Sequence, residues 1–119
     1  MREFVYKVCH ADDWAAALGL GRYLGSPDDA RDGYIHLSTV AQLAGTLARH
    51  FSVAGRGREG LVLVALQPSR LGPSLRWEPA RDGSLFPHLY APLDPALALR
   101  VTPLAVGADG RHVLPEGLE

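Results

Sequence analysis

A chain of 119 residues, 47% of them hydrophobic, is sized and composed for one globular domain over 1–119 and leaves no room for a second. Its formal net charge of −1 gives no general electrostatic footprint for nucleic acid, and its single cysteine, Cys9, excludes an internal disulfide framework. No apolar run approaches the roughly 18 residues of a membrane span, and Met1-Arg2-Glu3-Phe4 lacks a signal peptide's apolar stretch, so a cytoplasmic, membrane-free protein is expected.

Phe4-Val5-Tyr6-Lys7-Val8-Cys9 mixes alternation with β-branched and aromatic residues and reads as a first strand. Asp12 or Asp13 is expected to cap a short helix through about Leu18, stopped by Gly19 and Gly21. Gly21 to Asp32 reads as a long polar loop, of the kind that often carries function. Asp32-Gly33 turns into a short strand, Tyr34-Ile35-His36-Leu37. Thr39 and Gln42 have capping-box spacing, and Val40, Leu43, Ala44, Leu47, Ala48 and Phe51 follow at the spacing of one buried helical face. Gly55 to Gly60 is a flexible loop, and Leu61-Val62-Leu63-Val64-Ala65-Leu66 a central strand apolar on both faces. Leu75–Glu78 and Leu85–Tyr90 read as extended pieces, the second irregular, about a turn at Arg81-Asp82-Gly83. Ala96–Val101 reads as a strand, joined through Ala108-Asp109-Gly110 to a last one near Arg111–Leu114. Two helices early and about six strands late make the class α+β rather than doubly wound.

Polar and aromatic residues gather on two segments. In the first, strand alternation separates His36 from Ile35 and Leu37, and the strand runs through Ser38 and Thr39 into a helix N-terminus that suits an anionic or polar group. His36 fits either a functional ring or a hydrogen-bonded core histidine; Thr39 is a cap under either reading. The second segment, Arg76 to Tyr90, holds Arg76, Trp77, Glu78, Arg81, Phe86, His88 and Tyr90. Trp77 and Tyr90 suit stacking on a ring or an ordinary core, and Glu78 suits a ribose hydroxyl or an exposed pair with Arg81. Arg70, Arg76 and Arg81 suit a phosphate or the solvent. Five scattered histidines and no second cysteine argue against a metal centre.

Tyr6-Lys7, Trp14, Gly25-Ser26 with Asp29, Asp32-Gly33-Tyr34-Ile35-His36-Leu37-Ser38-Thr39, His50-Phe51, Leu75-Arg76-Trp77-Glu78 and Leu85-Phe86-Pro87-His88-Leu89-Tyr90 together resemble the domain of unknown function 952 family, up to about residue 101. The order of the opening Tyr-Lys strand, helix, polar loop, Ile-His-Leu-Ser strand and Leu-Val-Leu-Val strand is also similar, more distantly, to the RNA 2′-phosphotransferases. That resemblance implies an ADP-ribosyltransferase-like fold of two small, mainly antiparallel sheets with two short helices and a cleft for NAD. Under it Lys7 takes the place of the opening-strand histidine, Ser38 the polar position after the second motif strand and His36 the histidine before it. Glu78 or His88 stands in for the third-motif glutamate, which the sequence does not match.

Two functional classes follow. One is an NAD- or ADP-ribose-using transferase or glycohydrolase, with His36, Glu78 and His88 catalytic. Lys7, Ser38, Thr39, Arg76, Trp77, Arg81 and Tyr90 would then hold a nucleotide-like small molecule. The other is a module that binds a nucleotide or a protein partner without turnover.

Overall fold

The first strand, β1 (Val5–His10), sends alternate side chains to opposite faces. Val5 and Cys9 enter one apolar cluster, and Tyr6 and Val8 enter another. The coordinates are a computed structural model that describes residues 3–80 and 82–118.

Helix α1 (Ala11–Leu20) starts at His10 without a side-chain cap, so Asp12 and Asp13 sit in its first turn and face its positive end. Gly19 lies inside the helix. Gly21, at φ 85°, ends it in the left-handed conformation that glycine adopts without strain. The expected polar loop over 21–32 contains a second helix, α2 (Pro27–Asp32). Ser26 Oγ accepts from the Asp29 N–H at 3.2 Å, and Asp29 Oδ2 accepts from the Ser26 N–H at 2.9 Å. This is a capping box with aspartate in the usual glutamate place, and a favourable proline follows the cap at the first helical position. A single turn-and-a-half with one buried residue carries no apolar period to mark it as a helix.

Strand β2 (Ile35–His36) buries Ile35 and leaves His36 half-buried on the other face. The expected helix from Val40 is divided into a 3₁₀ turn (Val40–Gln42) and α3 (Leu43–His50). Gln42 Oε1 accepts from the Thr39 N–H at 3.0 Å. The buried stripe is narrower than the period implied: Leu43 and Leu47 are in the core, Phe51 is half-buried, and Val40, Ala44 and Ala48 are exposed. Strands β3 (Ser52–Val53) and β4 (Arg56–Gly57) form a tiny ribbon turned by Ala54 and Gly55, both at positive φ, where a loop was expected from Gly55.

The central strand is β5 (Leu61–Leu66), buried throughout. Strands β6 (Leu75–Pro79) and β7 (Leu85–Leu89) pair regularly from Leu75↔Leu89 to Pro79↔Leu85, so the second stretch is a hairpin strand rather than an irregular one. Pro95–Leu97 is a 3₁₀ turn capped by Asp94, which moves the expected 96–101 strand to β8 (Arg100–Val106). It meets β9 (His112–Val113) in the expected terminal hairpin.

Besides the β3–β4 ribbon, two larger sheets result, ordered β1-β5-β8-β9 and β2-β7-β6, and every pairing in them is antiparallel. The α+β class therefore stands, with three helices rather than two, and nine strands among the described residues. On β5, Val62, Val64 and Leu66 join the cluster that Trp14, Ala17, Ile35, Leu37 and Leu89 complete, while Leu61, Leu63 and Ala65 join the one under α3. The two sheets are stitched where Tyr6 and Ser38 exchange backbone hydrogen bonds of 2.8 and 2.9 Å. Lys7, His36 and Ser38 converge at that seam. No described helix is long and apolar enough to cross a membrane.

Candidate functional site

Beside the seam a lysine and an aspartate are buried together. Lys7 and Asp29 are each 3% exposed, and Lys7 Nζ meets Asp29 Oδ2 at 2.7 Å and the His36 carbonyl at 3.2 Å. The other oxygen, Asp29 Oδ1, accepts from the His36 N–H at 3.0 Å and lies 2.6 Å from His36 Nδ1. Burial alone would raise the Asp29 carboxyl. The His36 hydrogen bond and the Lys7 charge outweigh it and hold the group well below the usual carboxylate range. Asp29 thus ties α2 to β1 and β2 with both oxygens engaged. His36 Nε2 meets Asp32 Oδ2 at 2.9 Å, so the ring is clamped between two carboxylates.

A second carboxylate–histidine pair lies on the β6–β7 hairpin. Glu78 Oε1 accepts from the Tyr90 hydroxyl at 2.6 Å and pairs with His88 Nδ1 at 2.9 Å. Those two bonds, the Tyr90 one foremost, lower the Glu78 carboxyl. His88 Nε2 has no partner among the described residues. Tyr34 stacks on His88 at 4.0 Å between ring centres and tilts against His36 at 4.5 Å, bridging the two pairs.

A cavity of about 320 Å³ opens beside these groups, the low end of the size range of small-molecule sites. Lys7, His36, Ser38 and His88 line it, as do Asp29, Asp32, Tyr34, Arg49 and His50. Ser38 Oγ and Thr46 Oγ1 share a 2.7 Å hydrogen bond on its wall. The remaining expected residues that the structure describes do not line it. Thr39 sits at the start of the 3₁₀ turn, Glu78 and Tyr90 lie behind His88, and Arg76 stacks over the Tyr90 ring at 5.0 Å. Trp77 is 42% exposed on the hairpin, and Arg81 lies outside the described residues.

Among the cavity residues, Asp29, Asp32, Tyr34 and His50 stand in the motifs quoted above without an assigned role, and Thr46 and Arg49 stand in none of them. The legible signal for Asp29 was Ser26-Pro27-Asp28-Asp29, a cap followed three residues later by a carboxylate. Among the described residues no group of three His, Cys, Asp or Glu side chains is placed to hold a metal ion.

The chain belongs to the family described as protein of unknown function (DUF952), whose sequence profile matches residues 8–101. It is similar to the protein CC0527 from Caulobacter crescentus. The crystal structure of CC0527 is 41% identical, covers 92% of this chain and 93% of its own, and superposes with a TM-score of 0.85. The solution structure of CC0527 is 42% identical over 91% and 90% of the two chains, with a TM-score of 0.79. No curated protein matches. The names of these relatives state no activity, and none of them carries the likeness to ADP-ribosyltransferase-like proteins.

Proposed function

We propose that the cavity binds a nucleotide-like ligand, with NAD or ADP-ribose as the members the resemblance implies, and that the protein acts on it as a transferase- or glycohydrolase-like enzyme. The observation that carries this reading is the pair of carboxylate-oriented histidines, His36 and His88, on either side of Tyr34 at one cavity. An orienting partner fixes each ring, and at His88, held at Nδ1 alone, it leaves the other nitrogen for proton transfer. Two small antiparallel sheets meeting at the Tyr6–Ser38 bridge, with the cavity beside their junction, support an ADP-ribosyltransferase-like reading of the fold. A buried ion pair is weak support for stability, and its place in a cavity wall favours a functional reason for keeping it.

The roles divide by which atoms are free. His36, held at both nitrogens, positions rather than transfers. Tyr34 and Phe86 offer ring surface, and the Ser38–Thr46 hydroxyls offer hydrogen bonds to a ribose. His88 Nε2 is the open acceptor. In hydrolysis the bond from the ribose anomeric carbon to the nicotinamide nitrogen breaks, and its electron pair neutralises the pyridinium ring. A water oxygen bonds the anomeric carbon and gives its proton to His88 Nε2. Such a reaction depends on clamping more than on a strong base.

A second reading is a nucleotide sensor without turnover. It is favoured by Asp29, whose two oxygens are both committed and cannot face a developing positive charge. Calorimetric titration with NAD and ADP-ribose, beside His36→Ala and His88→Gln, tests both, with released nicotinamide assayed in the same samples. Binding weakened by His36→Ala together with nicotinamide release abolished by His88→Gln supports the enzyme. Binding without release supports the sensor. No affinity for either ligand refutes the nucleotide reading.

A further inference from the structure

Of the three described lysine and arginine side chains that line the cavity, two are held directly by carboxylates. Lys7 is matched by Asp29 at 2.7 Å, and Arg31 by Asp28 and Asp32 at 3.2 and 3.0 Å. Arg49 lines the same cavity and makes no hydrogen bond or ion pair among the described residues; the exposed Asp82 carboxylate acts on it only at longer range. It stands on α3 with Thr46 and His50 at the i, i+3, i+4 spacing of one helical face. All three line the cavity, while Leu43 and Leu47 turn to the core.

The donors around Arg49 suit an oxyanion. In the Ser38–Thr46 pair one hydroxyl donates to the other, and the accepting hydroxyl keeps a proton to give outward. Partial desolvation against the cavity wall favours the neutral form of His50, and its imidazole retains one N–H. A guanidinium fork beside a hydroxyl and an imidazole offers donors from several directions, which fits a tetrahedral group better than a planar one. These residues stand at the carbonyl end of α3, whose dipole opposes an anion, so the grip must come from the side chains. Arg76, expected from sequence to hold phosphate, is stacked on Tyr90 away from the cavity.

We infer that Arg49, flanked by Thr46 and His50, is an anion subsite of this cavity, and that the ligand presents a phosphate group to it. The inference rests on the nucleotide reading for the remainder of the ligand, and its test separates the two.

Wild type, Arg49→Gln, Arg49→Lys and Arg76→Gln are titrated with inorganic phosphate, acetate and ADP-ribose by calorimetry, with phosphate also tested as a competitor of ADP-ribose. The expected result is that phosphate binds and competes. Arg49→Gln weakens both ligands about tenfold or more, as loss of a charge-assisted hydrogen bond does. Arg49→Lys recovers part of the loss, and Arg76→Gln changes nothing. Phosphate binding lost in Arg49→Gln, with no affinity for ADP-ribose, keeps the subsite and refutes the nucleotide reading. ADP-ribose binding that ignores both phosphate and Arg49→Gln overturns the subsite and leaves the nucleotide reading intact. Acetate competing as well as phosphate overturns the phosphate assignment, and so does failure of any anion to bind.

Discussion

Replacing Asp29 by asparagine tests the buried pair at the cavity wall. The variant keeps the shape, but it removes the charge that compensates the Lys7 ammonium, 3% exposed, and leaves it neutral partners alone. Removing one member of a buried pair costs about 3–5 kcal/mol, because the other stays desolvated and unpaired. A chain of 119 residues has a total stability of roughly 6–18 kcal/mol, so the loss is a large fraction of it. At about 4 °C per kcal/mol it lowers the melting temperature by about 12–20 °C. Lys7→Met costs less, because Asp29 keeps the Ser26 and His36 donors. The double variant, Lys7→Met with Asp29→Asn, is more stable than Asp29→Asn alone, giving a coupling of about 2 kcal/mol in a double-mutant cycle. Urea unfolding followed by circular dichroism measures all four proteins. Additive costs, or a single-variant cost under about 1 kcal/mol, would refute the claim that the pair is energetically coupled.

Three further outcomes are expected. The folded Asp29 carboxyl lies below its unfolded value, so its contribution is complete above the unfolded range near about 4 and is lost as pH falls through the folded value. Urea midpoints should therefore drop on acidification below about pH 4, and a wild-type acid limb no steeper than that of Asp29→Asn would contradict this. Burial pushes the Cys9 thiol up to about 11, so a disulfide reagent at neutral pH should label it only as fast as the fold opens; rapid labelling of the native protein would count against that. Glu78→Gln should shift the nitrogen resonances of His88 by releasing its Nδ1 tautomer, whereas Tyr90→Phe leaves the pair in place; unchanged resonances in Glu78→Gln would show that Glu78 does not orient the ring.

Legibility in the sequence followed the size of the physical signal. Six consecutive apolar residues at 61–66, a short run with β-branched members, read as a strand buried on both faces, and they form β5. The alternation Ile35-His36-Leu37 placed His36 on the polar face because strand geometry leaves no other choice. By contrast α2 is held by one capping box and one buried carboxylate, and no apolar period marks it. The site was half legible for the same reason. His36, Ser38 and His88 lie in dense polar motifs, whereas Arg49 and Thr46 look like solvent-facing positions of an amphipathic helix until the opposing seam is placed over them. Arg76 and Trp77 drew attention by residue type. Trp77 pairs with Pro87 and faces away from the His88 side, whereas Arg76 shares the His88 face and stacks over Tyr90 instead of lining the cavity; register and stacking are tertiary properties that one strand's composition does not encode.

The central position of β5 also sets a schedule for the growing chain. Strand β1 pairs along its whole length with β5, from Val5↔Leu66 to His10↔Leu61, and β5 then pairs with β8. At roughly 5–20 residues per second, β1 waits about 3–11 s after its own synthesis before its partner strand exists. Throughout that interval Val5, Tyr6, Val8 and Cys9 have no sheet to enter, and the Lys7–Asp29 pair has no seam to be buried in. Ribosome-bound chains arrested before residue 61 should be protease-sensitive and held by chaperones. Chains arrested with residues 61–66 clear of the exit tunnel should be the first in which β1 gains protection.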